Sequence, residues 1–170
     1  MSWISVAEKG RVTQISLRRR LRSGGNLDLV TGTDLCDPAE TKALWAYLRD
    51  YKPLVVIMGP PCTPYGPWSN LNWRLNREGW QRSYDACSPI ARLCGAVALF
   101  QLRAGRHFLR ENPHPPYMNA EAPWPEVMRH PNVVYFVFDQ CMVGLRSQSR
   151  MLIKKPTGLV APSYLLVQDF

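Results

Sequence analysis

A chain of 170 residues, 46% of them hydrophobic, has the size and apolar content for one compact core and is short for two full domains. Its formal charge of +8 is spread evenly, 12 basic against 8 acidic residues up to position 85 and 9 against 5 beyond, which excludes a basic tail and puts any anion-binding surface in the fold itself. Five cysteines without a Cys-x-x-Cys pair argue against a disulfide framework and a zinc ribbon. No apolar run is long enough for a membrane span, and no leader-like segment opens the chain.

These features predict a single domain over 1–170, an intracellular location, nuclear or cytoplasmic, with no membrane partner and no metal. Of the 21 basic residues 16 are arginine, the side chain that grips phosphate with a planar fork and stacks on bases. Arginine-rich surfaces also arise from base composition and solubility alone, so charge leaves a nucleic-acid partner and a merely soluble surface level.

In chain order, Trp3 to Ala7 suits a short strand, Arg11 to Arg22 a basic helix, and Ser23-Gly24-Gly25 its end. A second strand is expected over Asn26 to Val30. The next helix is well signalled: Asp37 as N-cap, Pro38 at the first position, Glu40 closing a capping box, and Thr41, Leu44, Trp45, Leu48 and Tyr51 at helical spacing. Leu54 to Met58, an apolar run between Pro53 and Gly59, reads as a strand buried on both faces of a parallel sheet.

A polar loop rich in proline and tryptophan is expected over Gly59 to Arg82, long enough to need a functional reason. Ser88 and Pro89 then suggest a helix start, with Ile90, Leu93, Val97 and Phe100 on one stripe and Gly105 beyond its end. Strands are expected at Arg106–Arg110 and Val133–Phe138, and a short helix ending at Glu126–Arg129. Met151–Lys154 and Tyr164–Val167 are expected to pair as an antiparallel edge. The alternation predicts a mostly parallel open α/β sheet with helices on both faces, whose ligands lie at the carboxyl ends of the strands.

Three candidate positions fall at those ends: Asp28, the Pro60-Pro61-Cys62 turn, and Glu111-Asn112-Pro113. Two prolines stiffen the turn and aim the thiol with little freedom left, and a thiolate is a potent nucleophile if its pKa is lowered. A lone cysteine after a proline turn is more commonly a buried structural thiol, and an isolated Glu before Asn-Pro is usually a solvated turn. Between them, Trp68, Trp73 and Trp80 interleave with Arg74, Arg77 and Arg82, a pattern that suits base stacking and backbone contact and equally suits tryptophans folded back onto the core.

The Pro-Cys turn and the Glu-Asn dipeptide together resemble the paired signatures of the DNA cytosine-5 methyltransferases. Asp28 matches the acidic residue after strand two, Asp34-Leu35 the adenine-contacting motif, and Gly144 to Arg150 the Gly-x-x-Gln-x-Arg segment, with Gln148 and Arg150 in the matching places. The chain is more similar still to methyltransferase-like domains of mobile-element polyproteins. The shared order is a Pro-Cys-Thr loop, Asn70-Leu71-Asn72, Cys141 to Leu145, and Lys154 to Thr157.

The resemblance implies a Rossmann-like S-adenosylmethionine-dependent methyltransferase fold, with Cys62 as nucleophile, Glu111 as its acidic partner and Arg150 on the base or its phosphate. It implies S-adenosylmethionine as cofactor, held by Glu8, Gly10, Asp28, Asp34, Leu35 and Pro60. Nucleic acid, DNA ahead of RNA, would be held by Trp68, Trp73, Arg74, Arg77, Trp80, Arg82 and Gln148. The chain departs from the pattern in the turn after strand one, where Glu8-Lys9-Gly10 offers one glycine in place of several. Only 20 residues follow Arg150, which leads to the expectation of a single-stranded or structured substrate, or of a partner chain that supplies target recognition. A non-catalytic nucleic-acid-binding module of the same fold is the alternative. A zinc deaminase would need His-x-Glu, which does not occur.

Overall fold

The computed structural model describes residues 22–168, the isolated positions 18 and 20, and the backbone of residues 2–6. Among them six strands, β1 (Ser2–Val6), β2 (Arg22–Asn26), β3 (Val55–Met58), β4 (His107–Pro113), β5 (Val134–Asp139) and β6 (Pro156–Ala161), form one sheet in the order β2-β1-β3-β4-β6-β5. The pairs β1/β2, β1/β3 and β3/β4 are parallel, and β6 runs antiparallel to both β4 and β5. The carboxyl ends of β3, β4 and β5 therefore share one edge with the amino end of β6.

Helix α1 (Pro38–Tyr51) forms where its capping residues predict: the Asp37 carboxylate accepts from Ala39 N at 2.8 Å, with Pro38 at the first position. Leu44 and Leu48 face inward from it. Helix α2 spans Ser69–Leu75, α3 Arg77–Arg103 and α4 Trp124–Met128. The main core joins Leu44 and Leu48 of α1, Ala91, Cys94, Val97 and Ala98 of α3, Trp124 and Val127 of α4, and Val56, Met58, Phe108 and Val160 of the sheet. Along β4 the next residue after Phe108, Leu109, turns to a smaller cluster with Leu159, Ala161, Phe138 and Val167, as strand alternation requires.

Several expectations are corrected. The second strand is Arg22–Asn26, with Gly24 and Gly25 inside it, and the residues expected to form it continue into a 3₁₀ turn at Leu29–Thr31. Gly25 N donates to the Tyr47 hydroxyl of α1 at 3.1 Å, so the glycines tie this edge strand to a helix instead of breaking the chain. The loop expected over Gly59 to Arg82 is mostly helical, because α2 and the first turns of α3 occupy it. Pro89 lies inside α3 and does not start it. Both Pro89 and Asp85, whose carbonyl loses its helical partner to the proline, are exposed, so the freed carbonyl is not shut away from solvent.

The antiparallel strand is Pro156–Ala161, not Met151–Lys154 with Tyr164–Val167, and it is inserted between β4 and β5. Leu152 makes only an isolated bridge to Arg146, and Tyr164–Leu166 is a 3₁₀ turn. The helix expected over 11–22 lies outside the described residues, apart from Arg22, which opens β2, and the isolated positions 18 and 20. No helix among the described residues is long and apolar enough to cross a membrane.

Candidate active site

From the end of β3 the chain passes through Gly59-Pro60-Pro61 to Cys62, which heads a 3₁₀ turn, Thr63–Tyr65, closed by Tyr65 N donating to Cys62 O at 2.9 Å. The turn is anchored by its last residue. Tyr65 is buried, and its hydroxyl donates to Glu121 Oε2 at 3.2 Å; Tyr84 of α3 donates to the same oxygen at 2.7 Å, and Arg92 Nε to Oε1 at 2.7 Å. One carboxylate thus clamps the turn behind Cys62 to α3, leaving the thiol half-buried at the rim of the sheet.

Glu111 lies within β4 and not beyond it, opposite Leu159 of β6, and is half-buried. Gln140, the first residue after β5, reaches it with Nε2 at 3.5 Å, while the same amide donates to Thr157 Oγ1 at 3.0 Å and the Gln140 backbone N donates to Lys155 O at 3.1 Å. The insertion of β6 therefore brings Lys155 to the edge where Cys62 and Glu111 stand.

Charge connects the three side chains. Burial pushes the Cys62 thiol up from its ordinary value, negative charge on Glu111 pushes it further, and the Lys155 ammonium pulls it back. Burial likewise holds Glu111 above the ordinary carboxylate range, opposed by Lys155 and by Arg110. At rest the thiol is therefore protonated, and Glu111 keeps its proton to higher pH than a free carboxyl. Arg110 itself is fully buried, its guanidinium 4.1 Å from the Trp124 ring centroid and donating to Asn119 Oδ1, and burial brings its pKa down to about 10. Asn112, also buried, donates to Met118 Sδ at 3.7 Å and anchors the end of β4.

Four expected cofactor residues, Asp28, Asp34, Leu35 and Pro60, line one pocket of about 190 Å³ beside the Pro60-Pro61 turn, with Leu27 and Ile90 completing apolar walls. Asp28 caps the turn at Leu29–Thr31 through Val30 N at 2.8 Å, and Asp34 Oδ1 accepts from Cys36 N at 2.9 Å. The second Asp28 oxygen has no hydrogen bond to the described residues, whereas the Asp34 carboxylate also meets the Cys36 thiol, so the pocket offers carboxylate acceptors beside an apolar slot. Its volume lies below the roughly 300 Å³ at which drug-sized pockets begin. Glu8 and Gly10 lie outside the described residues.

The expected nucleic-acid residues divide. Trp68 and Trp73 of the α2 region are 70% and 44% exposed, and Arg74, Arg77 and Arg82 are exposed, with the Arg77 guanidinium 5.1 Å from the Trp73 ring centroid. Trp80 is half-buried; it donates through Nε1 to Ser69 Oγ at 2.9 Å and stacks on Tyr84, so it packs the α2–α3 corner. Gln148 and Arg150 are exposed on the turn after β5, where Arg150 takes a positive φ of 62° and its carbonyl accepts from Arg146 Nη1. The cation whose charge reaches Cys62 and Glu111 is Lys155 and not Arg150. Sequence reasoning missed Gln140 and gave Lys155, quoted within Lys154 to Thr157, no role at the site, since only the pairing of β6 with β4 and β5 puts them there. Among the described residues no group of three or more His, Cys, Asp or Glu could hold a metal ion.

The fold is similar to that of a solved methyltransferase of Entamoeba histolytica, EhMeth, with a TM-score of 0.50 at 10% sequence identity. The chain has a methyltransferase fold. The similarity covers 96% of this chain and 53% of the other, so the chain spans about half the length of that protein. No protein-family profile and no curated protein sequence matches it.

Proposed function

We propose that the chain is a cytosine-5 methyltransferase-like domain that acts on nucleic acid through a covalent adduct of Cys62. The observation that carries the reading is the meeting of a half-buried thiol, a half-buried carboxyl with raised pKa and one lysine at the carboxyl edge of a methyltransferase-type sheet.

Cytosine is unreactive at C5 toward an alkyl sulfonium until a nucleophile adds at C6. Cys62 would make that bond as the thiolate, its proton passing to water while the Lys155 ammonium steadies the sulfur's negative charge. Glu111, whose proton burial holds to higher pH than that of a free carboxyl, would donate at N3 and so take up the charge that the addition pushes into the ring. Asp28, Asp34, Leu35 and Pro60 would hold S-adenosylmethionine, which supplies the electrophilic methyl group when bound. After transfer of the methyl group to C5, water would take the C5 proton, the C–H electrons would restore the C5–C6 double bond and expel the Cys62 sulfur as thiolate, and N3 would return its proton to Glu111.

Protonated Glu111 also ceases to raise the thiol, so proton capture by the carboxyl favours thiolate formation beside it. The exposed Trp73–Arg77 pair supports a nucleic-acid substrate, with one ring to stack on and one fork for phosphate.

The test is a single-stranded oligonucleotide containing 5-fluorocytosine, incubated with S-adenosylmethionine and run on a denaturing gel. A protein–nucleic acid adduct resistant to denaturation is expected, and Cys62→Ser should abolish it. An adduct that survives the substitution sinks the nucleophile assignment. Oligonucleotide binding without cofactor binding or adduct would favour a non-catalytic module of the same fold.

A further inference from the structure

The corner where α2 meets α3 forms a second cavity, of about 240 Å³ and partly open to solvent, lined by the exposed Thr63, Asn72 and Asn76 and the half-buried Gly79, Trp80 and Ser83. Thr63 follows Cys62 directly in the chain, so the cavity opens one residue from the thiol. Its lining carries no charged side chain, which disfavours phosphate, carboxylate or cation as occupant. What it offers is neutral hydrogen-bonding capacity of both kinds.

The side chains of Thr63 and Asn72 make no hydrogen bond to the described residues, and Asn76 spends only Oδ1, accepting from Gly79 N at 2.9 Å. A hydroxyl, one whole amide and a second amide nitrogen are left over, a set of donors and acceptors that matches the edge of a heterocyclic base. Gly79 makes this arrangement possible: a Cβ there would lie 2.5 Å from Asn76 Nδ2. The floor is preformed, since Trp80 is held by Ser69 and stacked on Tyr84. The two helices that form the cavity are basic here: positions 69 to 83 hold the exposed Arg74, Arg77 and Arg82 against Glu78 as their only acid.

We infer that this cavity is a nucleobase subsite for the nucleotide next to the reacting one, with Asn72 and Thr63 reading the base and Arg74, Arg77 and Arg82 meeting its phosphate. The inference rests on the nucleic-acid reading above and deepens it: the substrate is an oligonucleotide of at least two nucleotides, not a free nucleoside. The volume fits that assignment, with room for a single ring system and little more.

The experiment measures fluorescence anisotropy of the full chain with a labelled single-stranded octamer of thymines around one cytosine. Two further octamers carry an abasic residue immediately 5′ or 3′ of that cytosine. For the unmodified protein, one of the two abasic octamers should bind about tenfold more weakly, the scale of losing one base contact. A Thr63→Val/Asn72→Ala variant, checked for an unchanged thermal melt, should bind the intact octamer about tenfold more weakly and lose the sensitivity to that abasic position. Equal sensitivity in variant and unmodified protein overturns the subsite, as does an unmodified protein indifferent to both abasic octamers. If the 5-fluorocytosine adduct still forms in either case, the subsite falls while the catalytic reading stands; if no octamer binds at all, both fall.

Discussion

Negative charge on Glu111 raises the proton affinity of the Cys62 thiol, so the two groups ionise in competition with each other. Removing that charge should therefore ease ionisation of the thiol. Glu111→Gln is expected to speed alkylation of Cys62 by iodoacetamide several-fold near neutral pH, read by mass spectrometry of the Cys62 peptide. The same substitution should slow methyl transfer by roughly two to four orders of magnitude, because Gln cannot deliver a proton to N3. An unchanged alkylation rate would show that the carboxylate does not act on the sulfur.

Lys155 opposes Glu111 in its effect on the thiol and also lowers the carboxyl. Lys155→Met should slow Cys62 alkylation and move the whole pH–rate curve to higher pH. Lys154 provides the control, since its ammonium lies 3.8 Å from Asp139 Oδ2 and has no part in the shift of either group. Lys154→Met should leave the alkylation curve in place, and a shift as large as that of Lys155→Met would mean that net charge alone is at work.

How far these features can be read before folding varies with the kind of interaction involved. α1 and the strands at Val55–Met58 and Val134–Asp139 are legible because their signals are local: a cap at Asp37, apolar runs, flanking breakers. Cys62 and Glu111 are legible as a pair because each follows, or sits in, such a strand. β6 is obscured by Pro156 and Gly158, which read as a turn. Proline is tolerated at a strand's first position, and a Cβ at Gly158 would come within 2.4 Å of the Tyr135 ring, so a neighbour across the sheet dictates the glycine. Pro89 misleads in the same way: burial of Cys87, Ala91, Cys94, Val97 and Ala98 offsets the roughly 3 kcal/mol that a proline costs inside a helix. Lys155 is visible only as part of the Lys154 to Thr157 segment, with no role attached, and Gln140 escapes notice for want of any local pattern.

Close packing makes one glycine critical to stability. Gly95 of α3 passes so near α4 that a Cβ would lie 2.7 Å from Pro123 Cδ and 3.3 Å from Trp124 Nε1, whose ring is fully buried and donates to Ala91 O at 2.9 Å. Alanine would favour the helix locally by about 1 kcal/mol, yet the clash falls on a proline ring and a fixed indole that cannot swing away. Gly95→Ala should therefore destabilise the protein by about 1–3 kcal/mol in urea unfolding despite its better helix propensity. A variant as stable as the parent would mean that α4 shifts freely on α3.

Two carboxyls should give opposite pH dependences of stability. Burial holds Glu111 above its ordinary value of 4.5, so the folded state binds this proton more tightly than the unfolded chain. Its contribution is fully present below the unfolded value and is lost as pH rises through the folded one. Glu111→Gln should consequently melt a few degrees higher than the parent at pH 7, with the gap closing toward pH 4. At Glu121 burial also works to raise the pKa, but hydrogen bonds from Tyr84, Arg92 and Tyr65 outweigh it and the value is lowered. That stabilisation is present above the unfolded value and is lost as pH falls through the folded one. Glu121→Gln should melt lower than the parent at pH 7 and approach it in acid. Because Glu121 clamps the turn behind Cys62, its loss should also broaden the distribution of Cys62 alkylation rates in native-state labelling, whereas Glu111→Gln should shift the rate without broadening it. Melting curves of both variants from pH 3 to 8 that moved in parallel would remove the charge argument at one site or the other.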